Sequence, residues 1–290
     1  MIKVFSLIFF TVFTSNVVAM DFDRLGGTFT MHGEIKKDDS LRFIAKLASW
    51  ETPPTVFYIT SKGGDLEEAM KIGKVIRESQ IPVWSGDECY SACVFIYASG
   101  VEREAQGNIG LHRPYFNKEY FKNLSSIEAK NKYESLKVQS IQYLEEMEVS
   151  QGIIERIFHT DSTDIDIIGA DEANRVFGVR APFYEEWLTA KCGKLTNEQL
   201  LVLESWNSLL AARETVKLAK DDSALKTENY GSNLQKLVEH SQLAAQLAEK
   251  GLLEEYISLF HEHRKCTDKA VNEHVFSFHK ALRSHFKSYY

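Results

Sequence analysis

The chain lacks any strongly basic stretch. Its 34 lysines and arginines are outnumbered by 41 aspartates and glutamates, a formal charge of −7. That balance argues against the electrostatic footprint of a nucleic-acid binder. Past residue 20 no run is apolar enough to span a bilayer. There is no internal repeat and no low-complexity tract, which sets aside stacked-repeat architectures. Cysteine is scarce, with only Cys89, Cys93, Cys192 and Cys266, and none of these forms the Cys-x-x-Cys spacing of a thiol redox motif.

The one concentrated apolar run lies at the start. Lys3 is a short positive region, residues 4–12 are an apolar core, and Val17-Val18-Ala19 has the small residues of a cleavage site. Residues 1–19 therefore read as a secretory signal peptide cleaved after Ala19. An uncleaved anchor is the alternative, but the run is shorter than the ~20 residues a span needs. Cleavage leaves no transmembrane segment and places the protein in the periplasm or outside the cell. Disulfides are allowed there, with three ways to pair four cysteines. With hydrophobic residues at 44%, the rest of the chain can fill one large or two ordinary domains.

Apolar spacing then sets out alternating elements. A strand over 29–35 ends near Gly33. Asp39-Ser40 caps a helix bearing Leu41, Ile44, Leu47 and Ala48 on one face, and Pro53-Pro54 closes it. Residues 56–59 read as a strand covered on both faces. Asp65 and Glu68 form a capping box for a helix with Leu66, Ala69, Met70, Gly73 and Ile76 on its apolar face. Strands follow over 81–84 and 108–111, with an all-apolar helix over 92–98 between them. Such alternation predicts βαβ units and a parallel or mixed sheet. Beyond Pro114, Ser125 and Glu128 cap a helix carrying Tyr133, Leu136, Ser140, Tyr143, Leu144 and Met147. A short helix after Ser150 and an Asp-rich loop over 161–166 lead into the segment 167–179.

Three features of this core carry chemistry. Ser91 follows the 81–84 strand through a Ser-Gly-Asp turn and heads the apolar helix, where free N–H groups favour developing negative charge. The bland reading is a simple N-cap serine. Gly63-Gly64 comes directly after a buried strand, where glycine lets backbone N–H groups approach a ligand closely; a plain turn is the bland reading. His112 ends the 108–111 strand and is suited to serve Ser91 as a general base; a structural histidine is its bland reading.

The stretches Ile59-Thr60-Ser61-Lys62-Gly63-Gly64, Cys89-Tyr90-Ser91-Ala92-Cys93 and Ile109-Gly110-Leu111-His112-Arg113-Pro114 resemble motifs of the Clp-type protease and crotonase superfamily, in particular its exported Clp-like branch. The resemblance covers about residues 28–185. It implies a crotonase/Clp-protease-like α/β core over 20–190, with Ser91 as nucleophile and His112 as base. It also implies an oxyanion hole from Gly63, Gly64 and Ala92. Lys62 stands where the family's turn often has proline. The family's acid precedes a segment like Ala170-Asp171-Glu172-Ala173, which implies Asp164, with Asp166 and then Asp161 as alternatives; a Ser-His dyad without an acid is also open. Peptide or protein substrates and self-association are further implications.

From residue 191 to 290 the pattern is helical, as in a hairpin or small bundle. Thr196 with Gln199 caps its first helix, another stops near Gly251, and a long helical stretch, broken at most once, covers 253–286. Cys192 and Cys266 flank these helices and could staple them. Cys89 and Cys93 could bond to each other around Ser91, pair with distant cysteines, or be buried apolar residues. His261, His263 and Cys266 suggest a metal cluster, but two histidines two residues apart on a helix point to different faces. No metal or organic cofactor is therefore expected. The reading is an exported serine hydrolase of the peptidase kind, its C-terminal helices available to a partner protein. The alternatives are a non-catalytic periplasmic binding or scaffold protein on the same fold, and a thiol-dependent protein using Cys89 and Cys93.

Overall fold

In a computed structural model, the structure describes residues 19–116, 118–197, 199–200 and 253–287, together with 242, 246 and 249–251. The proposed leader and the helical pattern between 201 and 241 lie outside the described residues. Among the described residues no helix is long and apolar enough to cross a membrane.

The elements run β1 (Asp21–Leu25), β2 (Thr28–His32), α1 (Asp39–Ser49), β3 (Val56–Ser61), α2 (Leu66–Ser79), β4 (Val83–Tyr90) and α3 (Cys93–Ala98). Then come β5 (Arg103–Ala105), β6 (Asn108–Leu111), α4 (Lys118–Phe121), α5 (Ser126–Glu146), α6 (Gln151–His159), β7 (Asp166–Ile168), α7 (Ala170–Phe177), α8 (Pro182–Cys192) and α9 (Leu253–Lys287). This is a mixed α/β protein with one seven-stranded sheet in the order β1-β2-β3-β4-β6-β7, β5 pairing β4 alongside β6. β2, β3, β4, β5 and β6 are mutually parallel where they pair, and the outer pairs β1/β2 and β6/β7 are antiparallel. The chain divides into two compact units: residues up to Pro182 together with those from Val275 onward, and residues 183–274.

In the first unit the sheet's β1–β3 side is sealed by rings. Phe29 lies 5.0–5.6 Å, centroid to centroid, from Phe43, Trp50 and Phe57. Such aromatic pairs add about 0.5–1.5 kcal/mol each beyond area burial. Phe43 is therefore the residue that docks α1, with Leu47 and Ala48, while Leu41 of the expected face is 64% exposed. On α2 the Asp65 side chain accepts from the Glu68 N–H, but the Glu68 carboxylate accepts from the Ser40 N–H (2.8 Å) and ties α2 to α1. Burial alone would raise the Glu68 pKa; the hydrogen bonds from Ser40 and Lys71 outweigh it and hold the carboxyl below its usual range. The capping box at Ser125 and Glu128 is complete.

β4 corrects the sequence reading. Residues 85–87 do not turn; the strand continues to Tyr90 through a register shift, with Ile59 opposite Ser85 but Ser61 opposite Cys89. A bulge of this kind adds residues to one strand and bends it, which looks like a turn in the sequence. The N-terminal half of β4 pairs β5 and its C-terminal half pairs β6. β5 was not foreseen. It is three residues long, and its Ala105 is bonded on both N–H and C=O by the Asn174 side chain (2.7 and 3.1 Å).

Behind the sheet, Arg103 is 2% exposed. It donates to the carbonyls of Gly100 (2.9 Å), Phe177 (3.0 Å) and Met147 (2.8 Å). These sit at or just past the C-terminal ends of α3, α7 and α5, where helices leave carbonyls without internal partners. One cation thus serves three helix ends, each the negative pole of its dipole. Burial draws its pKa down to about 10, with Arg77 adding repulsion, so it remains charged at neutral pH.

Candidate active site

Parallel strands in an α/β sheet present ligands with the crevice beyond their carboxyl ends. Here β2, β3, β4 and β6 end at His32, Ser61, Tyr90 and Leu111. The loops leaving those ends line a cleft of about 1300 Å³ whose wall includes Gly63, Gly64, Ser91, Ala92 and His112. Tyr115, Phe116 and Tyr120 form an aromatic side of the same cleft, with Phe116 and Tyr120 stacked at 4.7 Å. All five residues expected as nucleophile, base and oxyanion donors therefore face one space.

Ser91 has a left-handed backbone, φ 57°. A residue with a side chain is uncommon in that region, and such a conformation persists where its surroundings impose it. Three surroundings do so. The Ser91 N–H donates to the Gly110 carbonyl (2.9 Å) on β6. Cys89 and Cys93 on either side are joined by a disulfide, their Cα atoms 5.2 Å apart. Gly63 presses from β3: a Cβ there would lie 2.7 Å from Ser91 Cβ and 3.0 Å from the Ala92 nitrogen. The four-residue separation is spanned with the left-handed residue folding the chain back between the two sulfurs. Nor is Ser91 a capping serine. The N-cap of α3 is Ala92, and no side-chain cap bond is made there.

Gly63 and Gly64 have φ 100° and 138°, values that favour glycine. Their neighbours explain the turn. The Gly63 carbonyl accepts from the Ile35 N–H (2.9 Å), and a Cβ on Gly64 would lie 2.1 Å from the Ile35 carbonyl oxygen. The Gly63 N–H donates to Ser61 Oγ (3.1 Å). Ser61 is 3% exposed and was not singled out in the sequence; a serine in a strand gives no signal of what its hydroxyl will meet.

His112 is 9% exposed, its ring 5.9 Å from that of Tyr115. Its Nδ1 lies 3.0 Å from the Arg113 carbonyl oxygen. The three aspartates considered as its acid are placed elsewhere. Asp164 is exposed in the turn after Asp161, to whose carbonyl its N–H donates (3.1 Å). Asp166 is held by the Arg156 guanidinium through two bonds, one of 3.0 Å. Asp161 accepts from Arg113 Nη2 (2.9 Å) and from the Thr163 N–H (3.0 Å). The Arg113 hydrogen bond is the main cause that lowers the Asp161 pKa to about 2.

The remaining cysteines, Cys192 and Cys266, form the second disulfide, Cα atoms 5.7 Å apart. With all four cysteines paired, Cys266 is not a thiolate for a metal, and His263 points its Nε2 at the Gly193 carbonyl (3.2 Å). Cys89 and Cys93 are fully buried and present no thiolate to a substrate.

Among solved structures, the chain is similar to a ClpP1 mutant from Listeria monocytogenes. The match covers 53% of this chain and 88% of that one, at 21% identity and a TM-score of 0.42. No protein-family model matches the chain, and no curated protein does.

Proposed function

We propose that this chain is an exported serine hydrolase that cleaves acyl bonds of peptides. One observation carries the reading: a serine held in a left-handed turn at a sheet's carboxyl edge, its side chain capping no helix, in the same cleft as a histidine whose Nδ1 is taken by a carbonyl. A carbonyl only accepts, so the proton of the neutral ring sits on Nδ1 and the Nε2 lone pair remains to take a proton from Ser91. Ser91 Oγ attacks the substrate carbonyl, and the Ser91 proton passes to His112 Nε2. The negative oxygen of the tetrahedral adduct meets the N–H groups of Ala92 and Gly64. The leaving amine takes the proton from His112, and water repeats the sequence to release the acid.

Export fits the two disulfides, since such bonds persist in oxidising compartments. Self-association, and a partner at the C-terminal helices, belong to the same proposal.

Labelling with a fluorophosphonate tests the hydrolase reading. The folded chain should take up one label, and Ser91→Ala and His112→Ala should each abolish it. A folded chain that takes no label would instead favour the non-catalytic binding protein. One observation favours that second reading: the Gly63 N–H, an expected oxyanion donor, is already occupied by Ser61 Oγ.

A further inference from the structure

The carboxylate that a Ser-His pair ordinarily uses to orient its base is replaced at Nδ1 by a main-chain oxygen, and that oxygen is held with unusual thoroughness. Arg113, which supplies it, is fixed at both ends. Its N–H donates to the Thr160 carbonyl (3.0 Å). Its guanidinium donates to Asp161 (2.9 Å), reaches Tyr133 Oη at 3.5 Å and lies 5.9 Å from the centre of the Tyr133 ring. Pro114 follows, and a residue before proline is confined to extended backbone by the proline ring. With the N–H anchored and ψ restricted, the Arg113 carbonyl has little freedom to swing away from His112.

Asp161 is itself braced. Its Oδ1 accepts from the Thr163 N–H and hydroxyl, both at 3.0 Å, leaving Oδ2 for the guanidinium. It also neutralises a cation one residue from the imidazole. Without it, the Arg113 charge would oppose the imidazolium that forms when His112 accepts the serine proton.

We propose that Asp161 and Arg113 are positioning residues for His112: the Arg113 carbonyl sets the imidazole tautomer, and the Asp161–Arg113 ion pair holds that carbonyl in place. The proposal rests on the hydrolase reading for its consequence in catalysis but not for its geometry. Asp161 acts one residue removed from the ring, through the backbone.

Side-chain nitrogen NMR of His112 in the full chain, assigned by difference from His112→Gln, tests the geometry without any turnover. The expected result is the Nδ1–H tautomer in the unaltered chain, a mixture of tautomers in Asp161→Asn, and recovery in Asp161→Glu. Asp161 is half exposed, so folding of these variants is not in question; Arg113→Lys is the second variant and should also mix the tautomers. In parallel, fluorophosphonate labelling of Asp161→Asn should slow on the order of tenfold at saturating probe with little change in probe affinity, a fraction of the 10²–10⁴ a positioned base contributes. An Nε2–H tautomer in the unaltered chain, or a tautomer indifferent to both substitutions, overturns the proposal. A tautomer that responds as expected in a chain that takes no label upholds the positioning and overturns the hydrolase reading.

Discussion

At the scale of single residues, Gly63 is held against Ser91 without room for a side chain. A side chain there would meet Ser91 Cβ, the Tyr90 carbonyl and the Ala92 nitrogen, all within 3.0 Å. Its φ of 100° would also strain any L-residue, typically by about 1–3 kcal/mol. Gly63→Ala is expected to lower stability by at least that amount in urea unfolding and to remove labelling of Ser91. Gly152, in α6, is the control: a Cβ there meets nothing within 4 Å. Gly152→Ala should raise stability by less than the roughly 0.5–1 kcal/mol gained in a helix interior, since it sits in the first turn, and leave labelling unchanged. That a Gly-Gly pair after a buried strand makes a turn was legible; that Gly63 abuts Ser91 was not, because that contact joins segments far apart in sequence. Nor was the role of Arg113. Its contribution is a main-chain oxygen, which every residue carries, so no side-chain pattern announces it. Side-chain identity among Asp161, Asp164 and Asp166 could not show that Asp161 grips Arg113.

At the scale of elements, the end of α9 docks on the end of α1. His279, 4% exposed, directs Nε2 to the Leu47 carbonyl (3.2 Å), and Arg283 donates to the Glu51 carbonyl (3.0 Å). Both acceptors lie at or beyond the last turn of α1, where carbonyls need outside partners. Burial lowers the His279 pKa from its usual 6.5, and the nearby Arg283 charge adds to that. The unfolded chain therefore binds a proton at His279 at a higher pH than the folded chain does. Stability from this group is present above about pH 6.5 and is lost on acidification from there down to the lowered folded value. Urea unfolding at pH 7.5 and pH 5.5 should show a loss of stability at the lower pH, and that loss should be smaller in His279→Gln. An equal loss in both chains would place the acid sensitivity elsewhere. The pairing of α9 with α1 could not be foreseen: more than 200 residues separate them, and local periodicity carries no information about which helix a face will meet.

For the molecule as a whole, the alternation of strand and helix was legible because each period, two or 3.6 residues, is written locally. Helix caps at Ser125 and Thr196 were legible for the same reason: both partners lie within four residues. The bulge in β4 and the short strand β5 were not, since each is defined by pairing with a distant strand. Both disulfides were among the pairings the sequence left open, with nothing local to choose them, and the two bonds do different things. Cys192–Cys266 closes a separation of 74 residues, which by loop entropy is worth about 4.5 kcal/mol against the unfolded chain. Cys89–Cys93 spans a separation of four, where the same argument gives only about 2 kcal/mol, and its effect falls mainly on the shape of the turn at Ser91. That small ring imposes a condition. Its sulfurs are only four residues apart and can meet early, but until they do nothing covalent holds Ser91 in its left-handed turn. Refolding from the reduced, denatured state in a reducing buffer should therefore recover far-ultraviolet dichroism without fluorophosphonate labelling, and labelling should return as the Cys89–Cys93 bond closes on oxidation. Labelling that returns together with the dichroism, in a chain whose thiols are still free, would show that the turn stands without its ring. A nucleophile whose turn is closed by a disulfide is one that falls silent wherever thiols are kept reduced.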